Sequence, residues 1–338
     1  MKGLDMFSES KCDFCGECLE RCRYIDFDRE QGAREFEKLV RGENVDWLHK
    51  CITCFACNEY CTKGAEPFDL IIENIEASGN YVPPKIVAAF QNKFTPSDEF
   101  KIPAVQKPVM SICTIEPFMP SGVEGPIFEG LSIVRGRNFF CNVMFPHLGK
   151  ASIMHDTVQS IVDRYASLNI DEIIFLHDDC YSLMTSVAPK QGIELPFRPV
   201  HIFEYLVNYL KEHKNSITPL NMKVAYQRPC ASRLTPWKDP MLDEIFELIG
   251  VERVARMYDG LNSLCCGQNM KGIVGRGEKY PEYQNLNVMD AQENGAEAMV
   301  FLCPMCLDAL DSKCKEKGMK TYMVTDLCQL ALLNEDIA

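Results

Sequence analysis

No apolar run in the 338-residue chain approaches the ~18 residues that a membrane-crossing helix needs. The start, "MKGLDMFSES", lacks the apolar core of a secretory signal. An excess of positive charge is missing as well. With 48 acidic side chains against 35 basic ones, the net charge of −13 repels phosphate and argues against a nucleic-acid partner. C-x-x-C-H is absent, which excludes covalent haem, and so are a P-loop, a serine elbow and H-E-x-x-H. The glycine-rich "KGIVGRGEK" at 271–279 lacks G-x-G-x-x-G order, so it reads as a flexible loop over a neighbouring site. A flavin or nicotinamide, where the chemistry needs one, is expected on a partner.

Cysteine is abundant instead, at 18 residues. In a chain of this length without a signal segment, a disulfide framework is not expected. Clustered thiols then point to metal or redox chemistry in a reducing, cytoplasmic setting. Residues 1–80 hold 17 acidic and 10 basic side chains. That surface is either simply solvated or a docking face for a basic patch on a redox partner.

"CDFCGECLERC" at 12–22 and "CITCFACNEYC" at 51–61 each read C-x2-C-x2-C-x3-C. This spacing lets one loop present three thiolates to an iron–sulfur cube, while the fourth cysteine, at the start of a helix, ligates the other cube. The expected sets are Cys12, Cys15, Cys18 and Cys61 for one cluster, and Cys51, Cys54, Cys57 and Cys22 for the second. Zinc sites usually pair cysteines set well apart, unlike four cysteines within eleven residues, twice. Arg23 and Thr62 stand where proline usually follows the fourth cysteine. Between the motifs, Phe36, Leu39 and Val40 lie at helical spacing, with Gly42 as a C-terminal cap.

From Tyr81 to Pro108 the cysteines stop and prolines gather, which predicts an extended linker. Beyond it, strand-like and helix-like runs alternate in two similar series, which predicts a duplicated α/β unit with parallel strands. "VMSIC" matches "MKVAYQRPC", "DEIIFL" matches "AEAMVFL", and "IFEYLVNYL" matches "TDLCQLALL". The whole is expected to be an α+β multidomain chain: 1–80 a helical two-cluster ferredoxin-like domain, 81–108 a linker, 109–218 a first α/β unit and 219–338 a second.

The second unit carries Cys230, "CCG" at 265–267 and "CPMC" at 303–306. Five thiols from three loops can converge, and adjacent Cys265 and Cys266 suit a cluster that offers several metal atoms. A vicinal disulfide, or a redox or zinc pair at C-x-x-C, are the plainer readings. Cys314 and Cys328 fall outside the pattern and read as buried core thiols.

C-x(n)-CCG-x(n)-C-x-x-C resembles the cysteine-rich domain of heterodisulfide reductase catalytic subunits. Joined to the two-cluster head, the chain resembles the fused, D-type subunit of that family. It also resembles the iron–sulfur subunits of anaerobic glycerol-3-phosphate and glycolate dehydrogenases. The resemblance implies a noncubane [4Fe-4S] cluster on Cys230, Cys265, Cys266, Cys303 and Cys306. It implies protein partners, either a flavoprotein of the heterodisulfide reductase A type or a dehydrogenase.

The first unit departs from the pattern. In register, Cys113 matches Cys230, Cys141 falls within one residue of Cys266, His177 matches Cys303 and Cys180 matches Cys306. Either the site has decayed to ordinary core residues, or Cys113, Cys141, His177 and Cys180 hold a further [4Fe-4S] cluster. Decay at random would not spare three ligands and replace a fourth by another ligand type, so the second reading is favoured. Asp178 and Asp179 beside His177 offer it hydrogen bonds as the plain alternative. The expected function is electron transfer within a heterodisulfide reductase-like complex. Disulfide reduction, or service to a hydroxy-acid or glycerol-3-phosphate dehydrogenase, are alternatives. Whether the chain itself catalyses is left open.

Overall fold

The computed structural model describes residues 6–97, 99–275 and 278–333. Two four-stranded parallel sheets organise the chain from Val109 onward. The first comprises β1 (Val109–Cys113), β2 (Ser132–Arg135), β3 (Glu172–Phe175) and β4 (Arg198–His201), ordered β2-β1-β3-β4. The second comprises β5 (Met222–Gln227), β6 (Val251–Arg253), β7 (Ala298–Phe301) and β8 (Lys320–Met323), ordered β6-β5-β7-β8. The two orders are the same, and every pairing is parallel.

Apolar, β-branched-rich runs form central strands because both faces are covered. Val109 and Cys113 join one core while Met110 and Ile112 join a second, and on β5 Ala225 and Val224 divide the same way. The second core contains residues of both sheets, including Ile174, Val200, Tyr226 and Val300. Helices Ile202–Glu212 and Val324–Leu333 follow β4 and β8, in the places that their apolar spacing predicts.

Ahead of the sheets lies a helical region. Helix Arg29–Val40 is capped by Asp28, whose carboxylate accepts from the Gln31 N–H. It ends with Gly42 in a left-handed turn, as expected. Helix Pro67–Ser78 buries Phe68, Ile71, Ile72 and Ile75. Two expectations need correction here. The stretch 81–108 is not extended throughout, because Pro84–Phe94 forms a helix with proline in its first turn, where the missing N–H costs nothing. Its Phe94 stacks on Phe140 at 4.1 Å, so it is docked against the first sheet's surroundings. The fourth cysteine of each motif does not begin a helix: Cys61 caps the end of helix Ala56–Tyr60, and Cys22 follows helix Glu17–Glu20.

Among the described residues, no helix is long and apolar enough to cross a membrane. Arg276 and Gly277 of the glycine-rich stretch lie outside the described residues, whereas its Ile273 is buried.

Candidate metal centres

The two motif loops of the head share an unusual backbone. Phe14 and Gly16 flank Cys15 with φ of 54° and 77°, and Thr53 and Phe55 flank Cys54 with φ of 56° and 62°. Three of these four are not glycine, and left-handed backbone at such residues persists only where the surroundings impose it. Main-chain N–H groups meet two of the sulfurs: in the second turn Thr53 N–H donates to Cys51 Sγ at 3.3 Å, and beyond the motif Ala65 N–H donates to Cys61 Sγ at 3.4 Å.

Cys12, Cys15, Cys18 and Cys61 line one cavity, beside Phe36 and Tyr60. Cys22, Cys51, Cys54 and Cys57 line a second, whose wall Cys18 also reaches. Cys61 has therefore crossed to the first motif's thiols and Cys22 to the second's. The crossing follows from the one-turn helix that carries each fourth cysteine away from its own loop. Burial pushes the thiols of Cys18 and Cys57 above their ordinary range, and neighbouring thiols add to the shift. A cation would remove those protons and offset the crowding of like charges.

In the second unit the sheet order brings the thiols together. β6 and β7 flank β5, so loops leaving their C-terminal ends converge at the reversal point of the winding, where open α/β sheets build sites. Cys230 stands three residues past β5, Cys265 and Cys266 in the loop after β6, and Cys303 caps helix Pro304–Glu316 after β7. Thiol contacts run Cys230 to Cys265, to Cys266, to Cys306, to Cys303. Gly267, at φ 83°, turns the chain after the pair, and its N–H donates to Cys265 Sγ at 3.4 Å. Gln284 fixes this loop by donating to the Cys266 carbonyl at 2.9 Å. Cys314 and Cys328 are fully buried and outside the group, as expected.

The first unit repeats this arrangement more tightly. Sγ atoms of Cys113, Cys141 and Cys180 all lie within 4.8 Å of one another and are buried. Asn142 follows Cys141 with φ 59°, the counterpart of Gly267 after Cys266. His177, however, is outside that group. Its ring lies beside Asp179, with Nδ1 3.6 Å from the carboxylate, and beside the Cys303 thiol of the other unit. Burial opposes its charge, but Asp179 and Cys303 overcome that and raise His177 to about 10. Cys303 is held well below the usual thiol range, first by Cys306 and then by His177. Asp178 does not bond to His177. It accepts from His201 Nε2 at 2.9 Å and Lys238 Nζ at 2.9 Å, and from the Ser232 hydroxyl.

Sequence reading passed over the polar links between these groups. Glu59, between Cys57 and Cys61, takes Arg228 in a two-point contact at 2.7 and 2.8 Å and Arg233 at 2.7 Å. Both arginines flank Cys230. Tyr24, one residue past Arg23, accepts from the Cys265 N–H at 2.9 Å. Nothing in local spacing marks these residues. Their one signal is a position within two or three residues of motif cysteines.

Residues 224–311 match the CCG cysteine-rich domain family, a span that holds all five cysteines of the second unit. Over 90% of its length, the chain is 19% identical to the D-type subunit of the dihydromethanophenazine:CoB–CoM heterodisulfide reductase of Methanosarcina barkeri, covering 89% of that protein. The D-type subunit of the Methanosarcina acetivorans enzyme is 20% identical, with 92% of this chain and 91% of that protein covered. A hypothetical protein from Helicobacter pylori shares the fold at a TM-score of 0.58 and 11% identity, over 82% of this chain and 60% of that one. The chain thus resembles a heterodisulfide reductase-like iron–sulfur subunit and carries a CCG domain.

Proposed function

We propose that this chain is the electron-transferring iron–sulfur subunit of a heterodisulfide reductase-like redox complex. It is read as a two-cluster ferredoxin-like domain at 1–80, a connection at 81–108, and duplicated CCG-type units at 109–218 and 219–338. Cys12, Cys15, Cys18 and Cys61 would hold one cubane [4Fe-4S] cluster, and Cys51, Cys54, Cys57 and Cys22 a second. Cys230, Cys265, Cys266, Cys303 and Cys306 would hold a noncubane [4Fe-4S] cluster, with a further centre on Cys113, Cys141 and Cys180. The donor sets fit: main-chain N–H groups of Thr53 and Ala65 point at cysteine sulfur, and the thiols lie close enough to raise one another's pKa, which a bound cation would offset. Clusters bound there would supply one-electron carriers.

The observation that carries this reading is continuity. Cys57 lies within electrostatic reach of Cys18, Cys54 of Cys230, and Cys303 and Cys113 of His177. Each of the four thiol groups therefore lies near the next, the last step passing through His177. At the head end Cys15 is exposed, whereas at the far end Cys113, Cys141 and Cys180 are buried. Of the five-cysteine set, Cys265, Cys266, Cys303 and Cys306 are buried, at 4–8% exposure, and Cys230 is half-buried. That burial suits conduction better than attack on a soluble disulfide. An HdrA-type flavoprotein or a dehydrogenase is the proposed partner, delivering or taking electrons at the Cys15 face.

The test is anaerobic purification with iron and sulfide counts, electron paramagnetic resonance, and reduced viologen offered with disulfide acceptors. Two cubane signals, one noncubane signal, a further signal from the first-unit centre and no disulfide turnover by the isolated chain are expected. Turnover would overturn the conduit reading in favour of catalysis.

A further inference from the structure

We infer that Tyr24 is the positioning residue that joins the second head centre to the five-cysteine centre: its side chain lies against the one, and its hydroxyl holds the Cys265 main chain of the other. This rests on the proposed reading that both thiol sets hold clusters.

Tyr24 stands two residues past Cys22, so the chain runs directly into it from the Cys22, Cys51, Cys54 and Cys57 set. The residue lines the cavity of that set. Its hydroxyl accepts from the Cys265 N–H at 2.9 Å, at the first member of the adjacent cysteine pair. Tyr60 and Glu59 also bond to the second unit, but at Leu261, Arg228 and Arg233 rather than at a motif cysteine. A bonded path therefore leads from Cys22 through Arg23 and the Tyr24 side chain to Cys265, with a single hydrogen bond in it.

The placement is fixed from both sides. Only 8% of Tyr24 is exposed, and its ring meets Tyr283 edge-on at 4.9 Å. A buried tyrosine hydroxyl needs a partner and a buried main-chain N–H needs an acceptor, and here each serves the other. Tyr283 and Gln284 are neighbours on helix Tyr280–Glu293, and Gln284 donates to the Cys266 carbonyl at 2.9 Å and to the Ala309 carbonyl at 3.0 Å. The pair is thus gripped at the Cys265 N–H by the head and at the Cys266 carbonyl by its own unit. Outer partners that orient the ligands of a metal site govern its behaviour nearly as strongly as the ligands do. Tyr24 fixes how the pair presents its sulfurs and closes the gap that an electron must cross.

Tyr24→Phe keeps the ring and removes the acceptor, whereas Tyr24→Leu removes both. In the anaerobically purified full chain, Phe should leave iron and sulfide per chain at the wild-type value. After flash reduction of the head, electrons should reach the five-cysteine signal about tenfold more slowly in Phe, the lower end of what loss of an outer partner of a metal ligand does. Leu should be slower still. A wild-type transfer rate in Phe would overturn the inference, and so would a slowing fully explained by the measured midpoints of the two centres. Hydrogen exchange gives a readout apart from electron flow: the Cys265 amide should exchange faster in Phe, and unchanged exchange would show that Tyr24 does not hold it. Absence of the five-cysteine signal from the wild type would overturn the underlying reading itself, while the exchange arm still reports on the Tyr24 bond.

Discussion

Asp178 shows what one side chain can enforce. Burial penalises its charge, but Lys238, His201 and Ser232 more than reverse that and hold the carboxyl well below the usual range. Neither Asp178 nor Lys238 is exposed to solvent. Removing one partner of such a pair leaves an uncompensated buried charge, which costs about 3–5 kcal/mol. Lys238→Met should therefore destabilise by that amount, read as a fall in the midpoint of anaerobic guanidinium melts. Adding Asp178→Asn should restore part of the loss, and full additivity in the double mutant would show that the pair is not coupled.

Short elements depend on close approach and on buried groups that bridge them. Gly16 begins helix Glu17–Glu20 at φ 77°, and a Cβ there would stand 2.1 Å from the Arg29 carbonyl oxygen. Gly16→Ala must push helix Arg29–Val40 away and distort the loop of Cys15 and Cys18. The expected result is iron loss of about one cubane per chain, with the second head cluster retained; full iron content would refute it. His147 joins the turn Phe145–Leu148 to the second motif loop, 3.2 Å from the Thr53 hydroxyl. Burial lowers His147 to about 4 from an ordinary 6.5. Below pH 6.5 the unfolded chain takes up a proton that the folded chain refuses until about pH 4, so this stability is present above 6.5 and declines as pH falls. Between pH 6.5 and 5 the loss is on the order of 2 kcal/mol, at about 1.36 kcal/mol per unit. His147→Asn should flatten the pH dependence of the melts by that amount, and an unchanged slope would show that His147 is not responsible.

At the scale of the molecule, the head is fastened to the second unit through buried charge. Glu59 is 7% exposed at its side chain, and Arg228 and Arg233 are 2% and 4% exposed. Glu59→Ala leaves Arg233 without a carboxylate and Arg228 with Asp239 alone, and should cost about 3–5 kcal/mol of docking. Hydrogen exchange should rise at residues 260–264 and around Cys57–Cys61. Magnetic coupling between the head clusters and the five-cysteine centre should weaken. If exchange stays confined to the termini, the Glu59 ion pairs do not hold the head, and the Tyr24 and Tyr60 hydrogen bonds and apolar contacts do.

Much of this was legible in the chain itself. C-x2-C-x2-C-x3-C and CCG report ligand spacing, and spacing within a loop is a local property that sequence preserves. Strands such as Val109–Cys113 and helices such as Ile202–Glu212 declare themselves through apolar runs and periodicity for the same reason. The helix Pro84–Phe94 was hidden because clustered prolines punctuate loops more often than they start helices. What the sequence determined alone was therefore which residues bind together within a loop, and that two similar α/β series follow a cysteine-rich head. Only the tertiary structure decided which loops meet, since strand order sets convergence and pairs residues far apart in the chain. It joined Glu59 to Arg228 and Arg233, and it brought Cys113, Cys141 and Cys180 within 4.8 Å of one another. Direction across an interface depends on packing between distant segments, and no local spacing records it.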